Sequence, residues 1–149
     1  MKILATVVTL ATLISCSDNN FNQDFLTFEL KLVQSQPDPN LTEMSLYNSN
    51  LKFYVYDTTY LNNSDIATTE ILDWQTIPKI RVNLNEYGRK RFAEFTEHHV
   101  NHIAGIIVNN QLVSAPRINA PIKEGQLIII GFLGHEEAQH ISEGILLNE

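Results

Sequence analysis

The chain has 149 residues, of which 44% are hydrophobic and 18% charged, and its formal net charge is −7. That is room for one domain with a proper core and too little for two. It carries no Lys/Arg-rich stretch, and an acidic surface repels phosphate backbones and anionic headgroups, so nucleic-acid binding and charge-driven membrane attachment are excluded.

The first segment supplies another route to a membrane. Lys2 precedes an apolar run from Ile3 to Ile14, too short for a spanning helix and of the right length for a signal-peptide core. The run ends in Leu13-Ile14-Ser15-Cys16, which resembles the lipobox of bacterial lipoproteins. The resemblance implies cleavage before Cys16 and acylation of its thiol. Cys16 is the sole cysteine, so an internal disulfide is excluded, and lipidation accounts for a cysteine left over in a secreted chain. Several acyl chains, each stabilising by about 0.8 kcal/mol per buried CH₂, would anchor the protein firmly. Residues 1–15 are therefore expected to be a signal peptide, and residues 16–24 a lipidated, polar tether. Residues 25–149 are expected to be the folded domain. Ser17 after the cysteine resembles the pattern of outer-membrane destination, facing periplasm or surface.

Alternation over Phe28–Val33 predicts a strand with one buried face. Residues 34–50 carry Pro37 and Pro39 and read as a long loop, with a short strand near Met44–Leu46. Leu51–Tyr56 reads as a strand and a plausible sheet edge. Leu61–Ser64 reads as a turn, with Ser64 capping a helical turn through Ala67. Glu70–Trp74 and Lys79–Leu84 form a predicted hairpin around Pro78. Asn85 then caps a helix whose Gly88, Phe92, Phe95 and His99 share one face. Ile103–Val108 is a buried strand, Asn109-Asn110 a two-residue hairpin turn tolerant of positive φ, and Gln111–Ala115 the return strand. Pro116 and Pro121 bracket an irregular extended stretch. Gln126–Ile130 is a strand ended by Gly131, and His135–Leu146 a helix with Ala138, Ile141 and Ile145 inward and Glu136 and Glu137 at its positive end. Hairpins without βαβ alternation give an α+β class: an antiparallel, ferredoxin-like sheet with two main helices packed on one face.

From Phe28 to Ile145 the order of motifs resembles the head subdomain of the first periplasmic domain of SecD/SecDF, a protein-export membrane protein. The resemblance is carried by Phe28–Val33, Ser64-Asp65-Ile66, Val82–Gly88, Ile103–Asn110, Val113–Pro116 with Ile118, and Gly125–Gly131 followed by Glu137-Ala138. Three positions depart from the family's pattern: Glu124-Gly125 replaces a glycine pair, Asn109 an aspartate, and Gly134 a Ser or Thr helix cap. Gly88, Asn109, Asn110, Pro116, Gly125 and Gly131 are structural positions under this resemblance. It implies a head that contacts translocating preprotein. The family's proton-conducting transmembrane helices have no counterpart in these 149 residues, so the expectation is a detached, lipid-anchored head that binds and does not pump.

Candidate chemistry is sparse. His98 and His102, at i and i+4 beside His99, invite a metal, with His135 and His140 as distant extras. Yet no HExxH pattern or carboxylate completes a site, and histidines favour a helix C-terminus on electrostatic grounds. Ser114 lacks a nucleophile elbow. Gly125 and Gly131 lack the spacing and lysine of a phosphate loop. Glu136 and Glu137 are adjacent and point apart on a helix. Trp74, Tyr54 and Tyr56 could line an apolar binding patch, with core packing as the competing role. No enzyme, cofactor or metal is expected. The expected partners are a membrane, through the lipid, and unfolded or extended polypeptide or an envelope protein. The rival reading is an immunity or inhibitor lipoprotein that binds a specific toxin or enzyme, since a small acidic domain attracts basic partners.

Overall fold

The computed structural model describes residues 24–73, 75–132 and 134–147. The predicted signal peptide, Cys16 and most of the tether, together with Trp74, lie outside the described residues. Among the described residues no helix is long and apolar enough to cross a membrane.

Eight strands and two helices follow in the order β1 (Phe28–Gln34), β2 (Thr42–Ser45), β3 (Lys52–Asn62), β4 (Ile66–Leu72), β5 (Lys79–Leu84), α1 (Glu86–His98), β6 (Ile103–Val108), β7 (Gln111–Ser114), β8 (Gln126–Ile129) and α2 (His135–Gly144). The α+β class holds, with every paired strand antiparallel. The strands divide between two sheets, β2-β3-β1-β6-β7 and β4-β5-β8. α1 packs on β3 and β5, and α2 on β4 and β5.

The five-stranded sheet curls until its outer strands meet. Leu46, just after β2, forms a parallel bridge with Leu112 of β7, and the Tyr47 amide donates to the Leu112 carbonyl at 2.8 Å. The curl encloses a small core of Val33, Val55, Ile107 and Leu112, with Met44, Leu46 and Phe53 against it. The larger core lies on the other face, where Phe28, Leu30, Ala104 and Ile106 meet Ile80, Val82, Phe92, Phe95, Leu127, Ile129 and Ile141. β6 is thus sandwiched on both faces, which is why its sequence is a continuous apolar run. Gly105 points at the small core: a Cβ there would lie 2.4 Å from Val33 Cγ1 and 3.1 Å from Leu112 Cδ1.

Three expectations are corrected. β3 runs on to Asn62 and pairs with β2 on one side and β1 on the other, so Leu51–Tyr56 is not a sheet edge. Its extra length is β-favouring Thr58, Thr59 and Tyr60, fitted to β1 through register shifts. The helical turn after it is a 3₁₀ turn, Asn63–Asp65, capped by Asn62 and not by Ser64. The Asn62 side chain accepts from the Ser64 amide, and Asp65 Oδ2 accepts from the Asn62 amide at 2.9 Å. α2 ends at Gly144, where a Cβ would lie 2.6 Å from Leu26 Cγ. The Leu26 amide donates to the Gly144 carbonyl at 3.0 Å, so both ends of the described chain leave at one pole. β1 runs from that pole, at Phe28, towards the opposite one, at Gln34.

Candidate functional site

The site is built from the proline-bracketed stretch after β7. Pro116 and Pro121 cannot donate ladder hydrogen bonds and hold φ near −65°, so this segment stays extended and meets β6 only through an isolated bridge between Arg117 and Ile103. It is pinned at both ends. The Ala104 amide donates to the Pro116 carbonyl at 2.9 Å, the Ile118 amide to the His102 carbonyl at 2.9 Å, and the Asn101 amide to the Ile118 carbonyl at 2.7 Å. Further on, the Ile122 amide donates to Thr96 Oγ1 at 2.9 Å, on a threonine that α1 buries. Residues 119–121 bridge the gap as a strap.

Gly125, at φ +70°, turns the chain back into β8 against the stem of Arg89, whose Nε donates to the Lys123 carbonyl at 2.9 Å. β8 pairs with β5 on one side; among the described residues no strand pairs with its other edge. Between that edge and the strap opens a cleft of about 450 Å³, lined chiefly by apolar groups: Ile118, Ala120 and Ile122 on one wall, Leu127 and Ile128 on the other, Phe92, Phe95 and Ile106 beneath. Such a cleft beside unpaired backbone donors and acceptors can receive an extended chain. The edge would supply main-chain hydrogen bonds, and the cleft alternate side-chain pockets.

Tyr54 and Tyr56, singled out from the sequence, lie elsewhere. Tyr54 Oη donates to Glu43 Oε2 at 2.9 Å, and Tyr56 Oη to Gln34 Oε1 at 2.6 Å. The hydrogen bonds from Lys52 and Tyr54 hold Glu43 below its usual carboxylate range, and the Glu43 carboxylate in turn raises Tyr54. Tyr47 donates to Glu137 across the β2–α2 gap, and that bond raises its phenol likewise.

The remaining marked positions are backbone devices. A Cβ on Gly88 would lie 2.6 Å from the Asp65 carbonyl oxygen, so α1 starts in close contact with the 3₁₀ turn. Asn109 and Asn110 both take positive φ, 48° and 62°, at the β6–β7 turn. Gly131, at φ +108°, passes close to the Val113 carbonyl. Pro116 supplies the carbonyl that holds the strap to β6.

The histidines do not form a ligand set. α1 ends at His98, and His102 lies in the turn beyond, so the two do not share a helix face. Each Nδ1 meets a main-chain carbonyl: His98 with Glu94 at 2.7 Å, His99 with Phe95 at 2.7 Å, His102 with Val100 at 3.2 Å. His99 extends a ring cluster with Tyr60 and Phe95 at centroid distances of 5.2 and 4.9 Å. Among the described residues no three His, Cys, Asp or Glu side chains converge to hold a metal ion. Sequence reasoning missed Ala120, Ile128 and Arg117 as site residues; the proline bracket was the signal that marked their segment.

A family model described as SecDF, P1 head subdomain, matches residues 40–148. The protein translocase subunit SecD of Acidaminococcus fermentans is 29% identical over 85 residues, covering 56% of this chain and 20% of that protein. The SecD of Dictyoglomus turgidum is 37% identical over 65 residues, 44% of this chain and 16% of that one. The chain thus spans a fifth or less of these relatives. A solved structure of SecDF, described as a membrane component that enhances protein export, superimposes with a TM-score of 0.68 at 18% identity, covering 83% of this chain and 63% of that one. A crystal structure of SecDF in its super-membrane-facing form gives 0.65 at 19% identity, covering 80% and 18%. At such identities the likeness establishes the fold.

Proposed function

The chain belongs to the SecDF P1 head subdomain family, and on that premise we propose that it is a non-catalytic module that holds extended polypeptide, tethered to a membrane by acyl chains on Cys16. The observation that carries the polypeptide reading is the apolar cleft against the open edge of β8. Main-chain pairing there needs no particular sequence, which suits a partner that must take many unfolded clients. The relatives' role as translocase subunits agrees with such a client. The lipobox-like Leu13–Cys16 supports the tether, Ser17 favours the outer membrane, and the module works by contact.

Two measurements test this. Unfolded presecretory polypeptide titrated into the purified chain is expected to bind at tens of micromolar. Ala120→Trp, which fills the cleft from the exposed strap, is expected to weaken binding about tenfold. No binding, or binding indifferent to Ala120→Trp, would overturn the cleft reading. Intact mass of the membrane-extracted protein is expected to show residues 1–15 removed and an acylated Cys16; an unmodified cysteine behind an intact leader would end the tether reading.

A further inference from the structure

Beside the apolar cleft lies a second depression of about 430 Å³, at the end of β1 and the start of β6, and Arg117 belongs to the walls of both. Its polar lining comes from Gln34, Ser35 and Gln36 at and after the end of β1, Tyr56 of β3, and Asn101, His102 and Arg117, and among the described residues no aspartate or glutamate contributes to it. In a chain with 17 acidic against 10 basic side chains, an acid-free polar depression holding a guanidinium is a local reversal of the surface charge.

The arginine is positioned, not loose. Its backbone bridges to Ile103, and its Nη1 donates to the Asn101 carbonyl at 2.5 Å. Among the described residues it makes no ion pair, whereas Arg81 pairs with Glu70 and Arg91 with Asp65. Gln34 and Tyr56 are engaged with each other, and the Gln34 side-chain Nε2 donates to the Gln36 carbonyl at 2.9 Å. Gln34 and Tyr56 therefore form a settled wall, which leaves Arg117 as the charged group of the depression, beside Ser35, Gln36, Asn101 and His102.

We propose that this depression is a carboxylate subsite, which takes an aspartate or glutamate side chain of an extended polypeptide whose apolar residues occupy the neighbouring cleft. The inference rests on the polypeptide-binding reading above and adds a preference to it. A planar carboxylate matches the guanidinium fork in charge and shape. The overall negative charge does not cancel this, because distant charges are screened beyond about 8 Å at physiological salt. A client therefore gains affinity from an acidic residue flanking an apolar run and loses it from a lysine there.

The test uses three extended peptides with one shared apolar sequence and Asp, Asn or Lys at a single flanking position. They are titrated into the purified full chain by fluorescence anisotropy. The Asp peptide is expected to bind about tenfold more tightly than the Asn peptide, and the Lys peptide more weakly than either. Arg117→Gln is expected to equalise the Asp and Asn peptides, and Arg117→Lys to restore part of the preference. Because Arg117 also braces the Asn101 turn, a second readout does not depend on a variant: N-acetylaspartate amide titrated into the wild-type chain should shift the Arg117 Nε–H resonance, and N-acetylasparagine amide should not. Equal binding of Asp and Asn peptides overturns the subsite and leaves the cleft reading standing. Binding of none of the three overturns the cleft reading, and the N-acetylaspartate titration then decides the subsite alone, with no shift at Arg117 overturning it.

Discussion

At the scale of single residues, the fold is tightest where the curled sheet closes. Gly105 faces Val33 and Leu112 with no room for a methyl group, and the nearer contact is to the short, branched side chain of the buried Val33. Gly105→Ala should cost about 1–3 kcal/mol in urea denaturation, the range for overpacking a filled core. In a Val33→Ala background most of that extra cost should vanish, since the two sites share one space. Asp65 is the other critical residue. Fully buried, its carboxylate accepts from Arg91 Nη1 at 2.9 and 3.1 Å and from the Asn62 amide. Its own carbonyl accepts from the Asn85 amide at 2.9 Å, which joins the turn between the sheets to the start of α1. Asp65→Asn removes the charge that satisfies Arg91 and should lower stability by about 2 kcal/mol, read as a fall in the denaturation midpoint at unchanged slope.

At the scale of elements, β2 and β3 illustrate how a weak strand is held. β2 has four residues, mostly exposed, and Glu43 ties it to β3 through Lys52 at 2.6 Å and Tyr54 at 2.9 Å. Because the folded state depresses the Glu43 carboxyl, the stability from this link is present above the unfolded carboxylate value. It is lost as the pH falls through the depressed one. The thermal midpoints of wild type and Glu43→Gln should therefore differ near neutrality and converge in acid. The pair is solvent-exposed, so added salt should shrink the difference as well.

Local elements were legible because local chemistry decides them. Asn85 as a helix cap, with Gly88 N donating to its Oδ1 at 2.9 Å, and the two asparagines of the β6–β7 turn are read from nearest neighbours. The β4–β5 hairpin is legible around Pro78, although β4 begins at Ile66, where the sequence predicts a helical turn through Ala67. What was hidden is what the chain decides at a distance. Nothing within β2 announces that Leu46 will meet Leu112, so the closure of the larger sheet could not be read, nor the division of strands between two sheets. The run Leu61-Asn62-Asn63-Ser64 looks like a turn by composition, yet Leu61 is fully buried as a strand residue. The cleft escaped for the same reason: its walls, residues 116–122 and β8, meet only through the pinning of the strap to β6 and α1.

At the scale of the whole molecule, one side chain binds the pole where the ends meet. Asn63 Oδ1 accepts from the Phe28 amide at 2.8 Å, and its Nδ2 donates to the Leu26 and Ile145 carbonyls, each at 2.9 Å. It joins the entry of β1, the end of α2 and the turn between the sheets. Asn63→Ala should cost about 2–3 kcal/mol, at roughly 1 kcal/mol per hydrogen bond lost. Hydrogen exchange should quicken first at the Leu26 and Phe28 amides.

The run of β1 from pole to pole, with β3 on one flank and β6 on the other, has a mechanical consequence. A client gripped beside Arg117 and hauled against an attachment at the N-terminal end would pull along the axis of the central strand. The ladder bonds lie across that axis, so the load is shared by both flanks at once in shear, instead of unzipping them one after another. The domain would be stiffest in the direction in which a tethered holder is tugged.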